Sequence, residues 1–251
     1  MSVVAIAAAA VTIAMFISQL SIIQQLKHAQ RLKQTVPILQ FLVSSLSSVL
    51  WLKYGLIKHD HTITFVNGTG TLISIYILAM FWKHSAARTR VELKVLATAV
   101  AGVVLVSYVD QSKDPGAIEV FSLVCCLMSL LFLASPLSHI GAVIARRDAS
   151  VLLPSVAALA FFNNVLWAVY GYMHEDPYMT MPNLVGAFFC SLQLALIAFY
   201  GRAAAAGRLP VDADNIPDSP LDEATGASSG VAMLAAENVQ MTEISHDSLG
   251  A

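Results

Sequence analysis

Six residues stand twice in this chain at one spacing. Trp51, Tyr54, Gly55, Asp60, Thr64 and Asn67, within "VLWLKYGLIKHDHTITFVNGTG" (Val49 to Gly70), return 116 positions later as Trp167, Tyr170, Gly171, Asp176, Thr180 and Asn183, within "VLWAVYGYMHEDPYMTMPNLVG" (Val165 to Gly186). The two stretches share nine of twenty-two residues without a gap. An indole offers a flat apolar face with an N–H at its edge. A phenol donates, a carboxylate accepts and an amide does both. Such a set suits holding a neutral polyol by stacking and hydrogen bonding. No nucleophile, general base or metal-ligand cluster accompanies it, so the chain reads as no enzyme, and no metal or cofactor is expected.

The elements that carry these residues follow from composition. At 57% hydrophobic and 12% charged residues, the chain departs from soluble domains, which are about 25% charged. Apolar runs near the ~20 residues needed to cross a bilayer lie at Val3 to Ile23, Val36 to Ile57, Ile63 to Trp82, Leu93 to Val109, Ile118 to Ile140, Val151 to Tyr172 and Tyr178 to Tyr200. Seven spans are expected, with the lipid bilayer as their solvent. Alternating strands of ~10 residues are lacking, so the bundle is helical rather than a barrel. No basic residue precedes the first run, which is expected to stay attached rather than be removed as a signal. Cys125, Cys126 and Cys190 fall inside spans and imply no disulfide framework.

Lys and Arg are retained in short cytoplasmic loops. Eleven of the 14 basic residues follow spans 1, 3, 5 and 7, leaving Lys53, Lys58 and Lys113 for the other side. The N-terminus is therefore expected outside and the C-terminus in the cytoplasm. Beyond Arg208 the chain holds eight Asp or Glu and no Lys or Arg, a composition that cannot bury enough apolar surface to offset its ordering entropy. Residues 204–251 are read as a disordered acidic tail. With the membrane part near +6 and the tail near −8, nucleic acid is not an expected partner.

A period of 116 is too long for a solenoid and fits a duplicated bundle. The repeated Trp-x-x-Tyr-Gly lies near the outer ends of spans 2 and 6, and the repeated Asn in spans 3 and 7. Each pair is four spans apart, so both copies run the same way through the membrane. Three-helix units repeat in parallel only if an extra helix reverses the chain between them, and "LKVLATAVAGVVLVSYV" takes that place. The expected fold is an all-α membrane protein of seven transmembrane helices, two parallel three-helix bundles joined by an inverting linker helix (3+1+3). Its parts are 1–90, the linker 91–112, 113–203 and the tail. Parallel repeats of this kind suit a transporter with its substrate between the halves near mid-membrane.

The segments "WLKYG", Asp60 before "FVNGTG", "ASPLSHIGAVIARRDAS", "VLWAVYG" and "DPYMTMPNLVG" resemble the SWEET (nodulin/saliva) family of sugar facilitators. The likeness runs over roughly residues 8 to 201. It implies that Asn67 and Asn183 contact a sugar, that Trp167 lines the pocket with Trp51 as its partner, and that Tyr54 and Asp176 hydrogen-bond when the outer side closes. Tyr170 and Asp60 are the equivalent gate residues by duplication. For a single membrane Asn an interhelical hydrogen bond of about 0.6 kcal/mol is the plain alternative, and for each Asp it is helix capping. Two large rings would narrow the cavity, so a monosaccharide is expected. The family carries a proline in each of spans 1, 2, 5 and 6. Here Pro136 and Pro154 supply hinges in the second half. Pro136 matches Leu20, and Pro37 lies about a turn before its expected place, so the first half moves less or bends through Ser44 to Ser48. A homo-oligomer is implied by the resemblance alone.

"HDH" at His59 to His61 reads as a solvated loop, and Lys53 as a side chain reaching the interface. A coupled pump would carry an ionisable group deep in the membrane, and none is placed there, which favours passive bidirectional uniport of a sugar such as glucose by alternating access. The rival is a seven-helix receptor without transport activity, which the duplication disfavours. No retention signal ends the chain at "HDSLGA", so the plasma membrane is expected.

Overall fold

The computed structural model describes residues 2–32, 38–85, 87–112, 114, 116–131, 140, 141, 143–145, 147, 149 and 152–205. Pro136 and the acidic tail from residue 206 onward lie outside the described residues. Among those described there is no strand, and the elements are α1 (Val3–Ser18), a 3₁₀ turn (Gln19–Ser21), α2 (Ile22–Leu32), α3 (Leu39–Ile57), α4 (His61–His84), α5 (Arg88–Gln111), α6 (Ala117–Leu131), α7 (Pro154–Met173) and α8 (Pro177–Ala205).

Local chemistry explains where the helices start and change. Ser2 caps α1, its Oγ accepting from the Ala5 N–H at 3.2 Å. The first predicted span is not one regular helix. At Gln19–Ser21 it tightens to 3₁₀ geometry, and serine hydroxyls flank the change: Ser18 Oγ donates to the Met15 carbonyl at 2.7 Å and Ser21 Oγ to the Ser18 carbonyl at 2.6 Å. Such back-bonding competes with the helix ladder. The irregularity of the first half thus falls at Leu20, opposite the place of Pro136. By contrast, α3 runs unbroken through Ser44 to Ser48. Pro154 is the first residue of α7, where a missing N–H leaves no bond unmade.

The turn between α3 and α4 is written again between α7 and α8. His59 has φ 54° and Glu175 φ 53°. The His59 N–H donates to Leu56 O at 3.3 Å and the Asp60 N–H to Gly55 O at 2.8 Å. Their counterparts are Glu175 to Tyr172 O at 3.1 Å and Asp176 to Gly171 O at 2.9 Å. Both are Schellman closures with a left-handed residue just past the helix end. They also explain the repeated Gly and Thr. A Cβ on Gly55 would stand 2.8 Å from both N and Oγ1 of Thr64, and one on Gly171 2.7 Å from Thr180 Oγ1 and 3.0 Å from its N. Only a residue without a side chain lets the next helix pass so close.

The chain divides into two compact units, Met1–Phe132 with Asn163–Leu184, and Leu133–Phe162 with Val185–Ala251. In the first, α3 packs on α4, α5 and α6, and α1 and α2 on α4. One of its cores joins Ala5, Ala8 and Ala9 to Leu50, Tyr54, Phe121, Cys125, Trp167 and Tyr170. The other joins Ile22 and Leu26 to Phe41, Leu42, Ile77 and Phe81. The second unit has a smaller core of Val143, Ala149 and Leu152.

Helix α5 buries only Val91 and Gly102. Its ends are nonetheless fixed: Asp110 forms an ion pair with Lys53, and Glu92 Oε1 accepts from Trp82 Nε1 at 2.6 Å. Lys53 therefore has a protein partner as well as a route to the interface. Among the described residues five stretches are long and apolar enough to cross a membrane: Val3–His28, His61–His84, Arg88–Gln111, Pro154–Met173 and Pro177–Gly201. Serine-rich α3 has 19 residues and α6 has 15. Leu72, Val103, Phe188 and Phe199 are each more than 60% exposed, a surface that hydrocarbon tolerates and water does not.

Candidate functional site

The helix ends joined by the two repeated turns bring the four predicted gate residues together in crossed pairs. Tyr54 Oη donates to Asp176 Oδ2 at 2.7 Å, and Tyr170 Oη to Asp60 Oδ2 at 2.8 Å. Each Asp also caps the helix it begins, through its other oxygen. Asp60 Oδ1 accepts from the N–H groups of Thr62 at 2.8 Å and Ile63 at 3.0 Å, and Asp176 Oδ1 from Tyr178 at 3.1 Å and Met179 at 3.3 Å. Capping and cross-pairing are therefore not alternatives. The cap fixes the carboxylate so that Oδ2 aims at the tyrosine of the other repeat. Hydrogen bonds to an ionised acceptor contribute about 1.5–3 kcal/mol each, and burial excludes competing water: Tyr54 is 0% and Asp176 9% exposed.

The tyrosine rings are backed by matched neighbours. Trp51 meets Tyr54 edge-on at 5.1 Å between centroids, and Trp167 meets Tyr170 at 5.5 Å. Four residues beyond each tyrosine, Lys58 Nζ stands 5.6 Å from the Tyr54 ring centre, and the His174 ring lies 4.2 Å from that of Tyr170. Lys58 and His174 are themselves 116 apart.

Trp51 and Trp167 lie one turn further from the helix end. Their indole N–H groups point to hydroxyls on distant helices: Trp51 Nε1 to Ser129 Oγ at 3.0 Å, and Trp167 Nε1 to Thr12 Oγ1 at 2.8 Å. Sequence reasoning passed over Thr12, Ser129 and Asn163, although 12 and 129 differ by 117, one step from the period. A hydroxyl recurring inside two apolar runs was the available signal.

Asn67 and Asn183 behave alike, and no hydrogen bond joins them. Each amide donates to the carbonyl four residues back, Asn67 Nδ2 to Ile63 O at 2.9 Å and Asn183 Nδ2 to Met179 O at 2.7 Å. Among the described residues neither Oδ1 has a hydrogen-bond partner, and both side chains are half-buried. In an apolar helix that leaves an acceptor for which a ligand hydroxyl is a natural complement. A groove of about 660 Å³ runs along α3, α4 and α5, lined by Leu46, Thr71, Leu78 and Val103 among others. None of the repeated Trp, Tyr, Gly, Asp, Thr and Asn residues lines it, so it is a separate feature.

The family described as "Sugar efflux transporter for intercellular exchange" matches this chain twice, at residues 2–89 and 119–205. "Sugar transporter SWEET1" of Dictyostelium discoideum is 29% identical over 196 residues, covering 76% of this chain and 89% of the relative. "Bidirectional sugar transporter SWEET7" of Arabidopsis thaliana is 26% identical over 241 residues, covering 92% and 90%. A solved structure of a eukaryotic SWEET transporter superposes with a TM-score of 0.68 at 22% identity, covering 80% of this chain and all of that one. That likeness shows the fold, two parallel three-helix bundles joined by an inverting linker helix, in a multi-pass membrane protein.

Proposed function

This chain belongs to the family of sugar efflux transporters for intercellular exchange, a family of carriers rather than enzymes, and from that premise we propose that it is a passive, bidirectional uniporter of a monosaccharide such as glucose, working by alternating access. Residues 1–90 and 113–203 act as its halves, with 91–112 as the linker. The observation that carries this reading is the crossed pair, Tyr54 with Asp176 and Tyr170 with Asp60. Two bonds that each reach from one repeat to the other make a seal that opens only when the repeats part. The end they close is outer by the distribution of basic residues, with the N-terminus outside, the C-terminus cytoplasmic and the plasma membrane as the location.

Below the seal, Asn67 and Asn183 offer Oδ1 to the sugar, while Trp51 and Trp167 offer ring faces to its C–H surfaces. Both Asp residues are fixed by cap bonds at helix starts rather than set deep in the bilayer, which supports transport uncoupled from protons. Pro136 serves the second half as a bending point, Pro154 only fixing the start of α7, and the 3₁₀ turn at Gln19–Ser21 serves the first, since a tightened turn inside a helix yields more readily than the α-helix around it. Purified protein in liposomes takes up labelled glucose with or without a proton gradient, and takes up sucrose much more slowly. Uptake that requires the gradient would contradict uniport, and equal rates for the two sugars would contradict the monosaccharide pocket.

A further inference from the structure

Beneath the tyrosine–aspartate layer lies a second set of crossed bonds. Trp51 Nε1 donates to Ser129 Oγ on α6, and Trp167 Nε1 to Thr12 Oγ1 on α1. The first repeat's indole thus reaches the first helix of the second repeat, and the reverse. The hydroxyls are held from behind. Ser129 Oγ donates to Cys125 O at 3.3 Å. Thr12 Oγ1 lies 2.8 Å from Ala8 O and 2.7 Å from the Asn163 side-chain amide. A hydroxyl has one proton and two lone pairs. With the Asn163 amide turned so that Nδ2 faces Thr12, the hydroxyl accepts from Trp167 and Asn163 and donates to Ala8, and all three bonds are made.

We propose that Thr12, with Asn163 behind it, and Ser129 are positioning residues that hold the two indoles as a second closing layer, and that each indole N–H exchanges its hydroxyl for the transported sugar when the outer side opens. The inference rests on the sugar-carrier reading above. Its logic is that a buried N–H needs an acceptor in every state. When the repeats part, Trp167 leaves Thr12 and Trp51 leaves Ser129, and a sugar hydroxyl is the acceptor that the cleft supplies. Because Trp51 stands edge-on to Tyr54 and Trp167 to Tyr170, neither layer separates without disturbing the other. Thr12 and Ser129 thereby set how readily the carrier faces outward, without contacting sugar in the closed state.

The test combines a sugar-free and a sugar-dependent readout. The chain has three tryptophans, so ¹⁵N-indole spectra in lipid nanodiscs give three N–H signals, with Trp82 identified by Trp82→Phe. Thr12→Val is expected to move the Trp167 signal alone, and Ser129→Ala the Trp51 signal alone. Loss of one neutral hydrogen bond shifts the closed-to-open ratio about five-fold. In liposomes, Thr12→Val therefore lowers kcat and lowers KM for outside sugar by factors of that order, and Thr12→Ser restores both. A Trp167 signal indifferent to Thr12→Val overturns the proposal. So does a fall in kcat with unchanged KM that Thr12→Ser does not repair, since that marks a merely structural role. If the indole signals respond to the substitutions but wild-type protein neither carries glucose nor shifts its indoles when glucose is added, the second layer stands as a contact and the sugar-carrier reading, with the exchange built on it, fails.

Discussion

The two repeats keep the same bonds in different surroundings. Tyr54–Asp176 is buried, whereas Asp60, the partner of Tyr170, is half-exposed. Lys58 covers the Tyr54 ring and His174 the Tyr170 ring. Asn163 backs Thr12 in one indole contact, while its counterpart in the other repeat is Ser47, buried and without a hydrogen-bond partner among the described residues. The first repeat has a serine-flanked 3₁₀ turn around Leu20, whose counterpart in the sequence 116 residues on is Pro136. Duplication has preserved the donor–acceptor pairs that must meet across the axis. What lies behind each pair has diverged, so the two copies should contribute unequally.

The largest expected difference follows from removing the carboxylates one at a time. Asp176→Ala deletes a cap and takes the carboxylate acceptor from the buried Tyr54 hydroxyl, a loss of about 2–5 kcal/mol, whereas at Asp60 water replaces part of what is lost. Glucose flux and thermal midpoint should both fall further for Asp176→Ala; equal falls would show that burial does not distinguish the pairs. Next, Tyr54→Phe and Tyr170→Phe keep the ring and remove the donor. Each weakens the closed state by about 1.5–3 kcal/mol and slows flux, Tyr54→Phe the more, and unchanged flux would remove the pairs from the transport cycle.

Glycine substitutions sharpen the comparison from the packing side. Gly55→Ala and Gly171→Ala should each cost about 1–3 kcal/mol in stability from overpacking. Gly55→Ala should be worse, because its Cβ meets the Thr64 backbone N at 2.8 Å against 3.0 Å for Thr180. The thermal midpoint of each variant decides the order. The smallest effect is expected from Leu20→Pro, which writes the second repeat's proline into a turn that has already left α-geometry. It should cost well below the ~3 kcal/mol of a proline in a regular helix, the figure expected for Ile13→Pro in α1. Equal damage at the two positions would show that the 3₁₀ turn does not do the work of a proline.

The repeat made much of this legible in the sequence. The family resemblance implied the pair of Tyr54 with Asp176, and the repeat extended it to Tyr170 with Asp60, because a residue's register along a helix survives duplication. The role of His59 and Glu175 was hidden, since a left-handed position past a helix end places no strict demand on residue type and the two copies differ. Thr12 and Ser129 were hidden because a hydroxyl in an apolar run most often bonds its own helix, as both also do. The 3₁₀ turn was hidden because no proline marks it, while serine hydroxyls achieve a similar loosening by drawing on backbone carbonyls.

A carrier that opens to one side at a time exchanges sugar across the membrane, and counterflow reveals that exchange. Liposomes loaded with unlabelled glucose and diluted into a trace of labelled glucose are predicted to accumulate label transiently above its equilibrium level, because each inward journey follows an outward one on the same site. A monotonic approach to equilibrium, with no overshoot, would contradict alternating access.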